Sequence, residues 1–319
     1  MTESLVECVP NFSEGRDPAK IDQIVAAIES VPEILILHRT SDWDHHRSVI
    51  TFAGPGEAVL EAAVRAAAKA AELIDLNEHS GVHPRVGALD VLPFVPLGAT
   101  TLEDCVALAR RAGQRISAEL AIPVYFYGAA AIRPDRVALE DVRRGQFEGL
   151  REAPIANAGK APDLAGPMLH PTAGAVIVGA RKVLIAYNIN LRSTDLDLAR
   201  SIARRIRTSS GGFPAVKALG LPLPSRNLVQ ISMNLTDYEQ TPLHIVYAEV
   251  ERLAGERGVE IEESEVIGLL PQKAMEMAFA HFVKLPDFSR DRLIEHQIEP
   301  LRFRTIETFG PFLAEEKCC

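Results

Sequence analysis

In the stretch NEHSGVHPRVGALDVLPFVP, residues 77–96, His79 and His83 stand four residues apart. On a helix that spacing would turn both rings to one face, as in a metal-binding pair. Ser80 and Gly81 between them and Pro84 after them argue against a helix there. A metal reading therefore needs ligands gathered from several loops, and SDWDHHRS supplies Asp42, Asp44, His45 and His46. Together with His79 these would suit a metal-dependent hydrolase. His83 offers a different chemistry. The residue before a proline is held extended, and Gly87 and Ala88 leave room for a ligand or a second backbone. An imidazole so placed is suited to general acid/base work near neutral pH. A buried ring bonded to a backbone carbonyl is the plainer alternative.

Other chemistries lack their motifs. GPG at 54–56 and SSGGF at 209–213 do not follow strands as a phosphate cradle requires, and there is no GxxxxGK[ST]. No GxSxG elbow occurs, and neither Cys8 nor Cys105 sits in a nucleophile motif. The four cysteines, Cys318 and Cys319 included, show no CxxC spacing, which fits reduced thiols and a cytoplasmic setting. No apolar run approaches the ~20 residues of a membrane span, so no membrane partner is expected.

A net charge of −9 argues against nucleic acid, which needs a clustered basic surface. The charge is uneven, however. Residues 143–210 carry eleven Lys and Arg against five acids, a local +6 that leaves −15 elsewhere. Such a region suits small anionic ligands steered into a cleft, or solvated helix faces.

These residues need a scaffold, and the 319 residues, 47% hydrophobic, suffice for about two domains. SLVECVPNF (4–12) alternates as a strand, 17–30 is a helix capped by Asp17, EILILHR and HRSVITFAG are strands, and Gly56 to Leu73 is an Ala-rich helix. GALDVLPFVP is the next strand, followed by a helix from Leu102 to Leu120 and the strand IPVYFYGAA. The second half repeats the grammar: strand 182–191, helix 193–207, strands VKALGLPL and NLVQISMNLTDY, helix 241–257 and strand SEVIGLLP. The expected class is α+β, with two ferredoxin-like βαββαβ subdomains from an internal duplication and helices packed on one face of antiparallel sheets. The boundary falls near residue 180, giving 1–180 and 181–319, the latter ending in a helical and then irregular tail.

The strings LVECVPNFSEG (5–15), HPRVGALDVLPFVP (83–96), IPVYFYGAA (122–130), RRGQFEGL (143–150) and VGARKVLIAYNINL (178–191) occur in order and resemble the glutamate formiminotransferase family. The match covers the formiminotransferase portion alone, without the cyclodeaminase joined to it in some members. The resemblance implies transfer of a formimino group from N-formimino-L-glutamate to N5 of tetrahydrofolate, the acceptor substrate, during histidine degradation and without a metal. It also implies a homodimer whose partners are small molecules. His83 then matches the proposed catalytic base, and His79 is left without a role. The folate-contacting stretch maps onto Ala165, Gly166, Pro167, Met168, Leu169, His170, Pro171, Thr172, Ala173 and Gly174. Arg47, Arg85 and Arg181 are candidates for the substrates' carboxylates. Leu169, His170 and Ala173 depart from the aromatic or β-branched residues of other members, and His46 stands where Asn is common. A folate-binding relative acting on 5-formyltetrahydrofolate is a further alternative.

Overall fold

The protein is described here by a computed structural model covering residues 4–43, 45–81, 84–166, 168–285, 288, 289, 292–294 and 296. It is a mixed α+β chain with two sheets and, among these residues, eight α-helices. Two compact units are present. One runs to Asn188 and takes back Glu265–Leu269; the other is Ile189–Ser264 with the chain from Leu270.

In the first unit the chain runs β1 (Ser4–Cys8), β2 (Asn11–Phe12), α1 (Pro18–Glu29), β3 (Leu35–Asp42), β4 (Arg47–Gly54), α2 (Gly56–Leu73) and β5 (Leu89–Gly98). It continues through α3 (Leu102–Leu120), β6 (Val124–Gly128), α4 (Leu139–Val142), α5 (Gln146–Ala156) and β7 (Val176–Ala180). β1 and β2 are one strand in two pieces, because both pair antiparallel with β4 on one side and β5 on the other. The break falls at Pro10, whose ring leaves no N–H for a ladder; its carbonyl still accepts from Ile50 N at 3.2 Å.

Local signals place the helices. Asp17 caps α1 by accepting from Ala19 N and Lys20 N, with Pro18 at the first helical position. Thr101 and Asp104 form a capping box on α3. On α2 the buried residues include Ala62, Ala63, Ala66, Ala67 and Ala70, whose small side chains let a helix lie close to its neighbours.

The expectation of purely antiparallel sheets fails in this unit. β7 was not foreseen; it pairs in parallel with both β5 and β6, so the sheet is mixed. The reason is the crossover through α3, which returns the chain to the same end of the sheet before β6 begins. β7 then occupies the place between β5 and β6, and all five of its residues are buried, as a two-sided strand should be.

The second sheet is built from β8 (Ile185–Leu191), β9 (Val216–Leu223), β10 (Leu228–Leu235) and β11 (Ile261–Ile267), in the spatial order β11-β8-β10-β9. α6 (Leu196–Ile206), capped by Asp195, and α7 (Leu243–Gly255) separate the strands in sequence, and α8 (Gln272–Phe282) follows. Ile189, Leu191, Ile202, Val229, Ile231 and Val246 are buried in this unit. No helix among the described residues is long and apolar enough to cross a membrane.

Two glycines in the loop before β7 give a direct test of close packing. Gly174 has φ +70°, and a Cβ there would lie 2.1 Å from Val86 O and 2.7 Å from Leu76 Cδ1. Gly166 has φ +80° with nothing within 4 Å. Gly174→Ala should therefore cost about 2–4 kcal/mol, combining left-handed strain with overpacking. Gly166→Ala should cost only the strain, about 1 kcal/mol. Denaturant midpoints at constant slope measure both, and equal costs would contradict the packing.

Candidate active site

The segment after Pro84 is fixed by a buried carboxylate. Asp90, 1% exposed, sits in β5 where the pairing with β2 slips: Asn11 faces Val91 and Phe12 faces Leu89, leaving Asp90 as the extra residue of a bulge. A bulge re-aims the side chain it carries. Asp90 Oδ1 accepts from Val86 N at 2.6 Å and Gly87 N at 3.4 Å, and Oδ2 accepts from Arg143 Nη2. Ser13, just after β2, binds the same loop, with Oγ donating to Gly87 O at 2.7 Å and N to Ala88 O at 2.9 Å.

This loop meets the stretch expected to contact folate. Ala88 N donates to Ala173 O at 2.9 Å and Ala175 N to Val86 O at 3.1 Å, with Gly87 and Gly174 facing each other across an antiparallel bridge. Two regions about ninety residues apart in the chain thus form one structure. Within 165–174, Leu169 and Ala173 are buried core residues, which explains their aliphatic character here. His170 Nδ1 accepts from Ala173 N at 3.0 Å, so the ring stabilises its own turn. Ala165, Gly166, Met168 and Pro171 are exposed, and Thr172 is half-buried. Pro167 lies outside the described residues, as does His83, the expected base.

His79 acquires a role that the sequence did not reveal. It is buried, and its Nδ1 accepts from Arg85 Nε at 2.8 Å. Its other nitrogen therefore carries the proton and donates to His46 O at 2.9 Å. The ring is neutral in this arrangement, and burial above all holds its pKa below the ordinary histidine value. His46 stacks on it, ring centroids 4.2 Å apart and planes 8° from parallel. Both partners of His46, Ser80 O and Glu14 Oε1, are acceptors at 3.1 Å. A proton on Nδ1 serves Ser80 O, and one on Nε2 serves Glu14. Burial pushes the Glu14 carboxyl up, but the Arg16 and Asp17 amides and His46 outweigh it and hold it below the usual carboxylate range. His46 has φ +48°, a region that Asn, Asp and His enter more readily than other non-glycine residues.

Of the three candidate arginines, Arg85 is committed inside the protein. Besides His79 it bonds Glu148 in a two-pronged pair at 3.0 and 2.7 Å, and the carbonyls of Leu76 and His79. It holds the loop rather than presenting a free fork. Arg181 hydrogen-bonds Tyr127 and lies near Glu7, whose carboxyl is pushed up by burial despite the arginine. Arg47 is half-buried at the start of β4, near Asp90 and Arg143.

The metal reading finds little support among the described residues, where no three His, Cys, Asp or Glu side chains are placed to share an ion. Both nitrogens of His46 and of His79 are taken by protein partners, and Asp42 pairs with His45 at 2.9 Å. Asp44 lies outside the described residues. Cys8 and Cys105 are buried, and burial raises both thiols, Cys105 to about 12, which makes poor nucleophiles of them. Glu14, Asp90, Arg143 and Glu148 were missed from sequence. A signal existed for Asp90, a charged residue inside the apolar run LDVLPFV.

Comparison with known proteins agrees with this picture. Residues 5–181 match the formiminotransferase domain's N-terminal subdomain, and residues 186–315 match the formiminotransferase domain. The chain is 46% identical to the glutamate formimidoyltransferase of Thermoplasma acidophilum, over 93% of this chain and 98% of that protein. It is 41% identical to that of Streptococcus pyogenes serotype M1, over 91% and 97%. It is also 40% identical to the formimidoyltransferase-cyclodeaminase of Mus musculus, over 98% of this chain but 59% of the mouse protein. Together with the ordered motifs and the joined loops, these matches place the chain in the formiminotransferase family.

Proposed function

We propose that the protein transfers the formimino group of N-formimino-L-glutamate to N5 of tetrahydrofolate, giving 5-formiminotetrahydrofolate and glutamate. The observation that carries this reading is the relation, along nearly the whole chain, to glutamate formimidoyltransferases. His83 is the general base. N5 attacks the formimino carbon, and the imidazole removes the proton that would leave N5 positively charged. As the tetrahedral intermediate collapses, the bond from that carbon to the glutamate nitrogen breaks, and His83 returns the proton to the departing amine.

The frame around His83 supports the assignment. On the C-terminal side Arg85 is held by His79 and Glu148, and Val86 by Asp90. On the N-terminal side Ser80 O is bonded to His46. The exposed part of 165–174 serves the folate, since it is tied to the same loop.

We also read the two units as duplicated ferredoxin-like subdomains. In the second, the βαββαβ order with sheet order β11-β8-β10-β9 places the fourth strand first, then the first, third and second. In the first, β5, the split β1/β2, β4 and β3 follow the same succession. The protein acts as a cytoplasmic homodimer, as the family resemblance implies.

His83→Ala should fold and bind tetrahydrofolate yet lose about a hundred- to ten-thousandfold in transfer. The assay runs formiminoglutamate and 5-formyltetrahydrofolate side by side; full activity in the variant would remove His83 from its role, and activity on the formyl compound alone would replace the donor. Acid tests the frame separately from the chemistry. His79 has a lowered pKa in the folded protein, so the unfolded chain takes up its proton first as pH falls through 6.5, and stability drops there. Glu14 is also lowered, and its contribution is lost as pH falls below 4.5. Melting temperature against pH should show both losses, with the upper one flattened in His79→Gln.

A further inference from the structure

The turn SSGGF, residues 209–213, and the arginines before it take no part in the loops around Gly87 and Gly174, yet they line a cavity of about 780 Å³ wholly within the second unit. α6 supplies Ser201, Arg204 and Arg205. The two arginines come three and four residues after the serine, so all three side chains share one face of the helix. The turn supplies Ser210 and Phe213, and α7 supplies Glu249. The turn is folded tightly on the end of α6, because a Cβ on Gly212 would lie 2.5 Å from Arg205 O. Gly211, with φ +83°, also lines the cavity and would have nothing within 4 Å of a Cβ, which leaves its side of the turn bare. Phe213 N donates to Ile206 O at 2.9 Å and Gly212 N to Arg207 O at 3.0 Å. The negative end of the helix is thereby answered by the chain's own amides, which weakens its repulsion of an anion.

The donors of this cavity are uncommitted. Among the described residues neither Arg204 nor Arg205 makes a side-chain hydrogen bond or ion pair. Glu249 is already engaged by Arg252 in a two-pronged pair at 2.8 and 2.7 Å. Ser210 Oγ accepts from Arg207 Nε at 2.8 Å, which leaves the hydroxyl hydrogen to donate. Ser201, by contrast, donates to Leu198 O at 2.8 Å.

We propose that this cavity binds a phosphomonoester, with the phosphate held by Arg204, Arg205 and the Ser210 hydroxyl and the organic part against Phe213. It is a site apart from the one assigned to formimino transfer. Near neutral pH such a phosphate carries almost two charges on three acceptor oxygens, one for each donor group, whereas a carboxylate brings one charge and two oxygens. Guanidinium forks match phosphate oxygens in pairs. The cavity falls within the roughly 300–1,000 Å³ of small-molecule sites, more room than a bare phosphate fills, and the Phe213 ring offers the remainder an apolar wall. The proposal gives part of the positive segment 143–210 a ligand.

Calorimetric titration of the whole chain with phenyl phosphate, inorganic phosphate and tri-γ-L-glutamate tests this. Phenyl phosphate should bind saturably and more tightly than inorganic phosphate. Arg204→Gln and Arg205→Gln, both at exposed positions that spare the buried face of α6, should each weaken it about tenfold. Arg200→Gln removes the same charge from the same helix outside the cavity, where Arg200 lies 3.8 Å from Asp197, and should leave binding unchanged. Equal weakening by all three substitutions is the mark of general attraction and overturns the site, as does unchanged binding in Arg204→Gln and Arg205→Gln or the absence of saturable binding in the wild type. Binding of the glutamate peptide without either phosphate overturns the phosphate class. Phe213→Leu should narrow the gap between the two phosphates, and an unchanged gap overturns the placing of the organic part. Binding rather than transfer is read throughout, so none of these outcomes bears on His83.

Discussion

The site depends on the close approach of two backbones at Gly87 and Gly174. A Cβ on Gly87 would lie 2.1 Å from Ala175 O, and one on Gly174 the same distance from Val86 O. With a side chain at either place the reciprocal bonds between residues 86–88 and 173–175 could not form as they do. Those bonds tie the loop expected to carry the base to the loop expected to carry the folate. Sheet, bulge and helices all converge on keeping that contact, because β5 leaves it on one side and β7 on the other.

Around the contact, charge is handled by assigning each group a partner of fixed protonation. The His46 ring lies flat on the ring of His79, Glu14 answers the first and Arg85 the second. Arg85 is satisfied in turn by Glu148, whose exposed carboxylate ties α5 to the loop. Such a chain of donors and acceptors specifies tautomers as well as positions. A ring left to choose between tautomers could not direct Arg85 equally well.

Much of the scaffold was legible in the residues. The helices Gly56–Leu73 and Leu102–Leu120 and the strand Val216–Leu223 end where periodicity and turn residues place them. The strand before Pro10 was legible too, although its division into two was not. β7 was missed because five buried residues after a Gly- and Pro-rich loop carry no alternation, and parallel pairing leaves no turn signature. The site was legible in part. Motif order pointed to the two loops, whereas their bonding arises from backbone atoms that no residue type announces. His79 was invisible for a related reason: its partners are Arg85 and a carbonyl thirty-three residues away. Arg85 was legible as a cation but not as an internal one, since that depends on Glu148, sixty-three residues on.

The slip between Asn11 and Phe12 has a reach beyond the side chain it turns. A regular strand can be misaligned by two residues and still present its apolar face to the core. β5 carries one residue too many, so its two halves are out of phase, and only one alignment seats both against β1 and β2. Aligning the sheet and seating Asp90 are therefore the same event during folding. A chain that has found its register has already built the anchor of its loop, and a mispaired sheet has no anchor to offer.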